Sequence, residues 1–166
     1  GLDQFIFPRN TIIIEDRGYF DFLLMLSRIN AENIFVTRIK DNTVYESMIE
    51  LDLDDENDQD ILKDEIIQLS GEQAIKTGIS NEKLRLVTIY KEDENKVIQV
   101  ITNNLTWQAR TIADLYKKRW DIELFFKAIK QNLQIKTFLG TSENAVKSQI
   151  YIALICYLLL QVISRT

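Results

Sequence analysis

No histidine occurs among the 166 residues. That excludes Ser-His-Asp and Cys-His nucleophilic sites and any zinc held by imidazole. The lone cysteine, Cys156, cannot form a disulfide within the chain, and its place in an apolar run reads as a small buried hydrophobe. Together with a start that has no secretory-signal pattern, this leads us to expect a cytoplasmic protein. A single proline and five glycines argue against a linker-like or disordered chain. The run Ile150 to Leu160 is 11 residues, against the roughly 20 a membrane span needs, so it predicts a buried core helix and no membrane partner. Any chemistry here must use carboxylates, lysines, tyrosines or a metal on oxygen ligands.

What is present is an ordinary globular composition, 46% hydrophobic and 27% charged. The net charge of −5 conceals a division. Residues 1–103 hold 11 Lys/Arg against 21 Asp/Glu, whereas residues 104–166 hold 9 against 4. The last third is basic, which suits either a solvated face or an anionic partner.

Thr11 to Ile14 is a β-branched run closed by Glu15-Asp16, and Ile34 to Ile39 is another. Between them Phe22, Leu23, Leu26 and Ile29 fall at helical spacing. Strand, helix, strand with short connections predicts a βαβ unit with a parallel pair. Four strand-like runs follow, Thr43 to Leu53, Glu65 to Leu69, Leu84 to Tyr90 and Val97 to Thr102, with no helical signal between them. They predict an antiparallel, β-rich insertion over 40–105 within one domain spanning 1–166. Asn103 and Asn104 read as the turn that closes it. From Thr106 the pattern turns helical: one long helix from Gln108 to about Leu133, another from Ser142 to Ser164 capped by Thr141 or Ser142.

On the first long helix Tyr116, Arg119, Glu123 and Lys130 fall within an arc of roughly 60° at about 100° per residue. A carboxylate between two cations and a phenol suits a phosphodiester, with the carboxylate on a divalent metal and the cations on phosphate oxygens. Spacing alone, however, favours an ordinary surface ion pair between Arg119 and Glu123.

Those four residues match, spacing for spacing, the Y-(2)-R-(3)-E-(6)-K signature, and the chain resembles the insertion-sequence-four family of DDE transposases. The surrounding run from Thr111 to Lys127 and the later run from Ile135 to Ser142 are similar to the family's wording, and Asp16-Arg17-Gly18-Tyr19 matches its strand-end Asp-x-Gly-Tyr motif. The resemblance covers nearly the whole chain and is weakest between Lys40 and Lys96. It implies an α/β, RNase H-like fold with a β-rich insertion and two long C-terminal helices. It implies that Asp16 and Glu123 are catalytic and ligate Mg²⁺ or Mn²⁺, and that Tyr116, Arg119 and Lys130 contact the phosphates of double-stranded DNA at transposon ends. The implied function is transposition, by metal-dependent cleavage and strand transfer near the bacterial nucleoid.

The family's first aspartate lies on an earlier strand, and Asp3 has no strand around it. The expectation is therefore a partial, RNase H-like catalytic domain without its first strands, inactive alone. Its open edge at Thr11 to Ile14 would favour a homodimer. Two other readings stand beside this one: an RNase H-like nuclease without strand transfer, and a non-catalytic DNA-binding or self-associating remnant. The acidic run from Asp52 to Asp60 has Asn57 and Lys63 where a calcium-binding EF-hand needs glycine and glutamate, and reads as a solvated loop. Trp107 and Trp120 read as packing residues before they read as base-stacking ones.

Overall fold

The computed structural model describes residues 6–53, 58–119 and, further on, 142, 144, 145, 147–149, 151, 152, 154 and 155. The chain divides into two compact units, Gly1–Arg119 and Trp120–Thr166.

The first unit opens with the predicted βαβ. Strand β1 (Ile12–Glu15), helix α1 (Phe22–Asn30) and strand β2 (Ile34–Arg38) follow in order, and the strands pair in parallel from Ile12↔Ile34 to Glu15↔Thr37. The helix begins at Phe22, the first residue of the apolar spacing. Tyr19 belongs to a 3-10 turn (Arg17–Tyr19), and the Asp21 carboxylate then accepts from the Leu24 amide at 2.9 Å, which starts α1.

Strands β3 (Tyr45–Glu50), β4 (Ile61–Leu69), β5 (Leu84–Lys91) and β6 (Lys96–Thr102) form the expected antiparallel block. Two expectations need correcting. A short helix, α2 (Glu72–Thr77), sits between β4 and β5. Six residues are too few to show a period, and Gly78 ends the helix at φ 85°, a left-handed position that glycine adopts freely. Strand β4 also starts four residues before the predicted Glu65. Its buried Asp64 and Glu65 interrupt the apolar alternation by which a strand is recognised.

The block is continuous with the βαβ unit, because β6 pairs antiparallel with β2 from Val36↔Thr102 to Arg38↔Val100. One six-stranded sheet results, in the order β1-β2-β6-β5-β4-β3. Among the described residues β1 is an edge strand, as expected.

Each face of the sheet carries its own core. Phe20, Met25, Phe35, Leu69, Ala74, Leu84 and Ile101 pack on the side of α1 and α2. On the other side Val36, Val87, Ile98 and Val100 meet Ala109, Ile112, Ala113 and Tyr116. These last four have the i, i+3, i+4, i+7 spacing of one helical face, and residues 109–119 are helical; we call this segment α3. The remainder of the long helix predicted to reach Leu133 lies outside the described residues, as do Trp120 and Cys156. Trp107 packs against this second core, as expected.

In the second unit the described positions from 144 to 155 are helical, and the Ser142 hydroxyl accepts from the Ala145 amide at 3.3 Å, as predicted for an N-cap. Tyr151, Ile152 and Ile155 are exposed where the run from Ile150 to Leu160 was expected to be buried, and the other residues of that run except Leu154 lie outside the described residues. No helix among the described residues is long and apolar enough to cross a membrane.

Candidate functional site

Two consecutive carboxylates end β1, and strand alternation sends them to opposite faces of the sheet. Glu15 turns toward α1, where it is buried and meets the Arg28 guanidinium at 3.2 Å. Burial pushes its pKa up, and the hydrogen bond and charge of Arg28 offset part of that rise. Asp16 turns outward. Its Oδ1 accepts from the Arg17 amide at 2.6 Å, which caps the 3-10 turn and fixes the carboxylate at the strand end.

The α3 face of the sheet brings Arg119 to this carboxylate, with Nη1 3.6 Å from Asp16 Oδ1. The Arg119 side chain is 14% exposed and that of Asp16 52%, so the pair sits at a rim that solvent can reach. Below it the Arg119 guanidinium lies 5.4 Å from the centroid of the Tyr116 ring, within cation–π range. Tyr116 is buried. Burial raises its pKa, the charge of Arg119 pulls it down, and that of Asp16 raises it further. The phenol therefore stays protonated at neutral pH and serves as a floor for Arg119.

What holds α3 in place is at its other end. Arg85, on β5, donates Nε–H to Asp64 Oδ1 at 2.8 Å, and Asp64 is fully buried. The same guanidinium donates to the carbonyls of Leu105 and Trp107, which lead into the helix. The Asn104 side chain accepts from the Trp107 amide at 2.9 Å. Arg110 pairs with Asp60 and lies 3.5 Å from Asp58. Asp58 is buried, so this part of the acidic run is a clamp on α3 rather than a solvated loop.

Of the five residues expected at the site, the structure brings Asp16, Tyr116 and Arg119 together; Glu123 and Lys130 lie outside the described residues. Sequence reasoning passed over Arg17, Arg38 and Asp41. Arg38 ends β2 at the level of Asp16, and the contacts Arg17–Asp41 and Arg38–Asp41, both on the exposed Asp41 carboxylate, measure 2.9 and 3.8 Å. The only available signal was that parallel strands with a short connection end side by side.

A divalent metal with hard oxygen ligands needs several of them. Among the described residues no group of three His, Cys, Asp or Glu could hold one. Asp16 fits as one ligand of a larger set, being held through Oδ1 and still half exposed, and is not a site by itself.

A six-stranded mixed sheet with helices on both faces, and a strand-end carboxylate beside an arginine, places the chain among mixed α/β proteins. The chain matches the family model for the Transposase DDE domain over residues 2–159, and it belongs to that family. It is 34% identical over 150 residues to the "Probable transposase for insertion sequence element IS5377" of Geobacillus stearothermophilus, covering 90% of this chain and 38% of that protein. It is 34% identical over 154 residues to "Putative transposase y4zB" of Sinorhizobium fredii, covering 92% and 42%. A third relative, the "Putative transposase for insertion sequence element IS4SA" of Synechocystis, is 32% identical over 163 residues, covering 94% and 42%. The chain thus spans about two fifths of the length of these curated relatives.

Proposed function

We propose that this chain is part of the RNase H-like catalytic domain of an insertion-sequence transposase and acts in DNA transposition. In this reading Asp16 and Glu123 are two of the carboxylates that hold Mg²⁺ or Mn²⁺, and Tyr116, Arg119 and Lys130 serve the phosphates of the transposon-end duplex. When bound, the metal supplies an activated oxygen nucleophile and a stabilised leaving oxygen. The chain's own part is to present Asp16 on a rigid strand end and to hold a guanidinium next to it. The observation that carries the reading is the 3.6 Å approach of Arg119 to Asp16. These residues come from two motifs about a hundred positions apart in the sequence.

The Tyr116 ring is buried, so its part is to support Arg119 and fix its direction. The DDE chemistry uses three carboxylates, and this chain offers two at matching positions. We therefore expect it to bind duplex DNA and leave it uncut without a third carboxylate from elsewhere, with its β1 edge open to a second copy. Electrophoretic mobility shift and nicking assays with Mg²⁺ or Mn²⁺ test this. The expected result is retarded but intact DNA, with binding that falls steeply as salt rises. Absence of binding at low salt would sink the reading. Cutting that disappears in Glu123→Gln would keep the chemistry but overturn the need for a third carboxylate.

A further inference from the structure

Beside Asp16 lie two more guanidiniums whose arrangement is that of an anion clamp. Arg38 is the last residue of β2; its neighbour Thr37 pairs with Glu15, so Arg38 leaves the sheet where Asp16 does. Alternation puts it on the α3 side, and its charge acts on the Tyr116 hydroxyl. Arg17 follows Asp16 in the 3-10 turn. Both reach Asp41, in the turn after β2, and each takes a different carboxylate oxygen: Arg17 Nη2 lies 2.9 Å from Oδ2 and Arg38 Nη2 3.8 Å from Oδ1.

Two arginines sharing the two oxygens of one carboxylate can equally share the two non-bridging oxygens of a phosphodiester. The Asp41 side chain is 75% exposed, and an ion pair so open to water is easily exchanged. A DNA phosphate brings the release of condensed counterions, which a free carboxylate does not. With Arg119, the rim holds three guanidiniums against the carboxylates of Asp16 and Asp41. Asp41 thus holds two of these guanidiniums and Asp16 the third.

We propose that Arg17 and Arg38 form a fork for a DNA backbone phosphate next to Asp16, and that Asp41 keeps the fork spread until the phosphate displaces it. The proposal rests on the DNA-processing reading above. It assigns a second phosphate position to the strand-end side of the site, separate from the helix cations.

The test is fluorescence anisotropy of a short mixed-sequence duplex across a salt series, using the whole chain and four variants. Arg38→Gln is expected to weaken binding about tenfold and to reduce the salt slope by about 0.9, the loss of one phosphate contact. Asp41→Asn, which removes the competitor and keeps the shape, is expected to tighten binding about threefold. Glu32→Gln, which opens the exposed Arg9–Glu32 pair at the other end of the strands, is the control and should match wild type. Matching circular dichroism melts show that each variant folds. Unchanged or weaker binding in Asp41→Asn, or an unchanged slope in Arg38→Gln, overturns the fork. If either occurs while Arg119→Gln still weakens binding, the fork fails and the proposed function stands. Failure of wild type to bind overturns both. Inorganic phosphate competing as well as the duplex would assign the fork to a free anion and overturn the backbone-phosphate proposal.

Discussion

The two ends of α3 are held by opposite kinds of electrostatics. At its start, Arg85 is buried against Asp64 and also caps two backbone carbonyls, and Arg110 is clamped by the Asp58–Asp60 segment. At its far end Arg119 meets Asp16 at 3.6 Å across a solvent-accessible rim. A buried guanidinium with all three nitrogens engaged cannot exchange partners cheaply, whereas a rim pair can. Helix α3 is thus fixed where it leaves the sheet, while its last described turn holds a guanidinium in a pair that solvent reaches.

Variants at successive points along the helix break this comparison by decreasing amounts. Arg85→Ala leaves Asp64 charged and buried, and we expect a loss of about 4 kcal/mol in urea unfolding. Arg110→Gln removes a partly exposed clamp and is expected to cost about 1 kcal/mol in the same measurement. Arg119→Gln should change stability by less than about 0.5 kcal/mol, yet weaken DNA binding and lower its salt slope by about one. If Arg119→Gln instead destabilised as much as Arg85→Ala, the two ends would be equivalent and the contrast would be lost.

The smallest effect concerns pH. Burial holds the Glu15 pKa above the usual carboxylate range, so between the unfolded and folded values the folded state keeps a proton that the unfolded state has released. Stability conferred by the protonated form is complete below about pH 4.5 and declines as pH rises through the raised folded value. A shallow decline across that window, flattened in Glu15→Gln, is the expected outcome in thermal melts.

The parallel pair, the succession of strands along the chain and the position of Asp16 at a strand end were all legible from apolar runs and one short connection. Strand β4 was read too short because Asp64 is a buried charge, and its partner Arg85 becomes evident only once β4 and β5 are aligned. The short α2 gives no period to detect. Nor could spacing reveal that the block of strands shares one sheet with the βαβ unit, since the β2–β6 pairing joins residues more than sixty positions apart. At the site, Tyr116 illustrates the ambiguity of a helical arc. The spacing that aligned it with Arg119 also aligns it with Ile112 and Ala109, and the core takes the ring. Arg17, Arg38 and Asp41 belong to no helical period and emerge only from the side-by-side strand ends.

The proposal that Asp16 and Glu123 hold a common divalent metal is tested by Mn²⁺ titration followed by electron paramagnetic resonance. The predicted result is weak Mn²⁺ binding by the whole chain that is lost alike in Asp16→Asn and in Glu123→Gln, with both variants melting as wild type does. Binding that survives either substitution undiminished would contradict it.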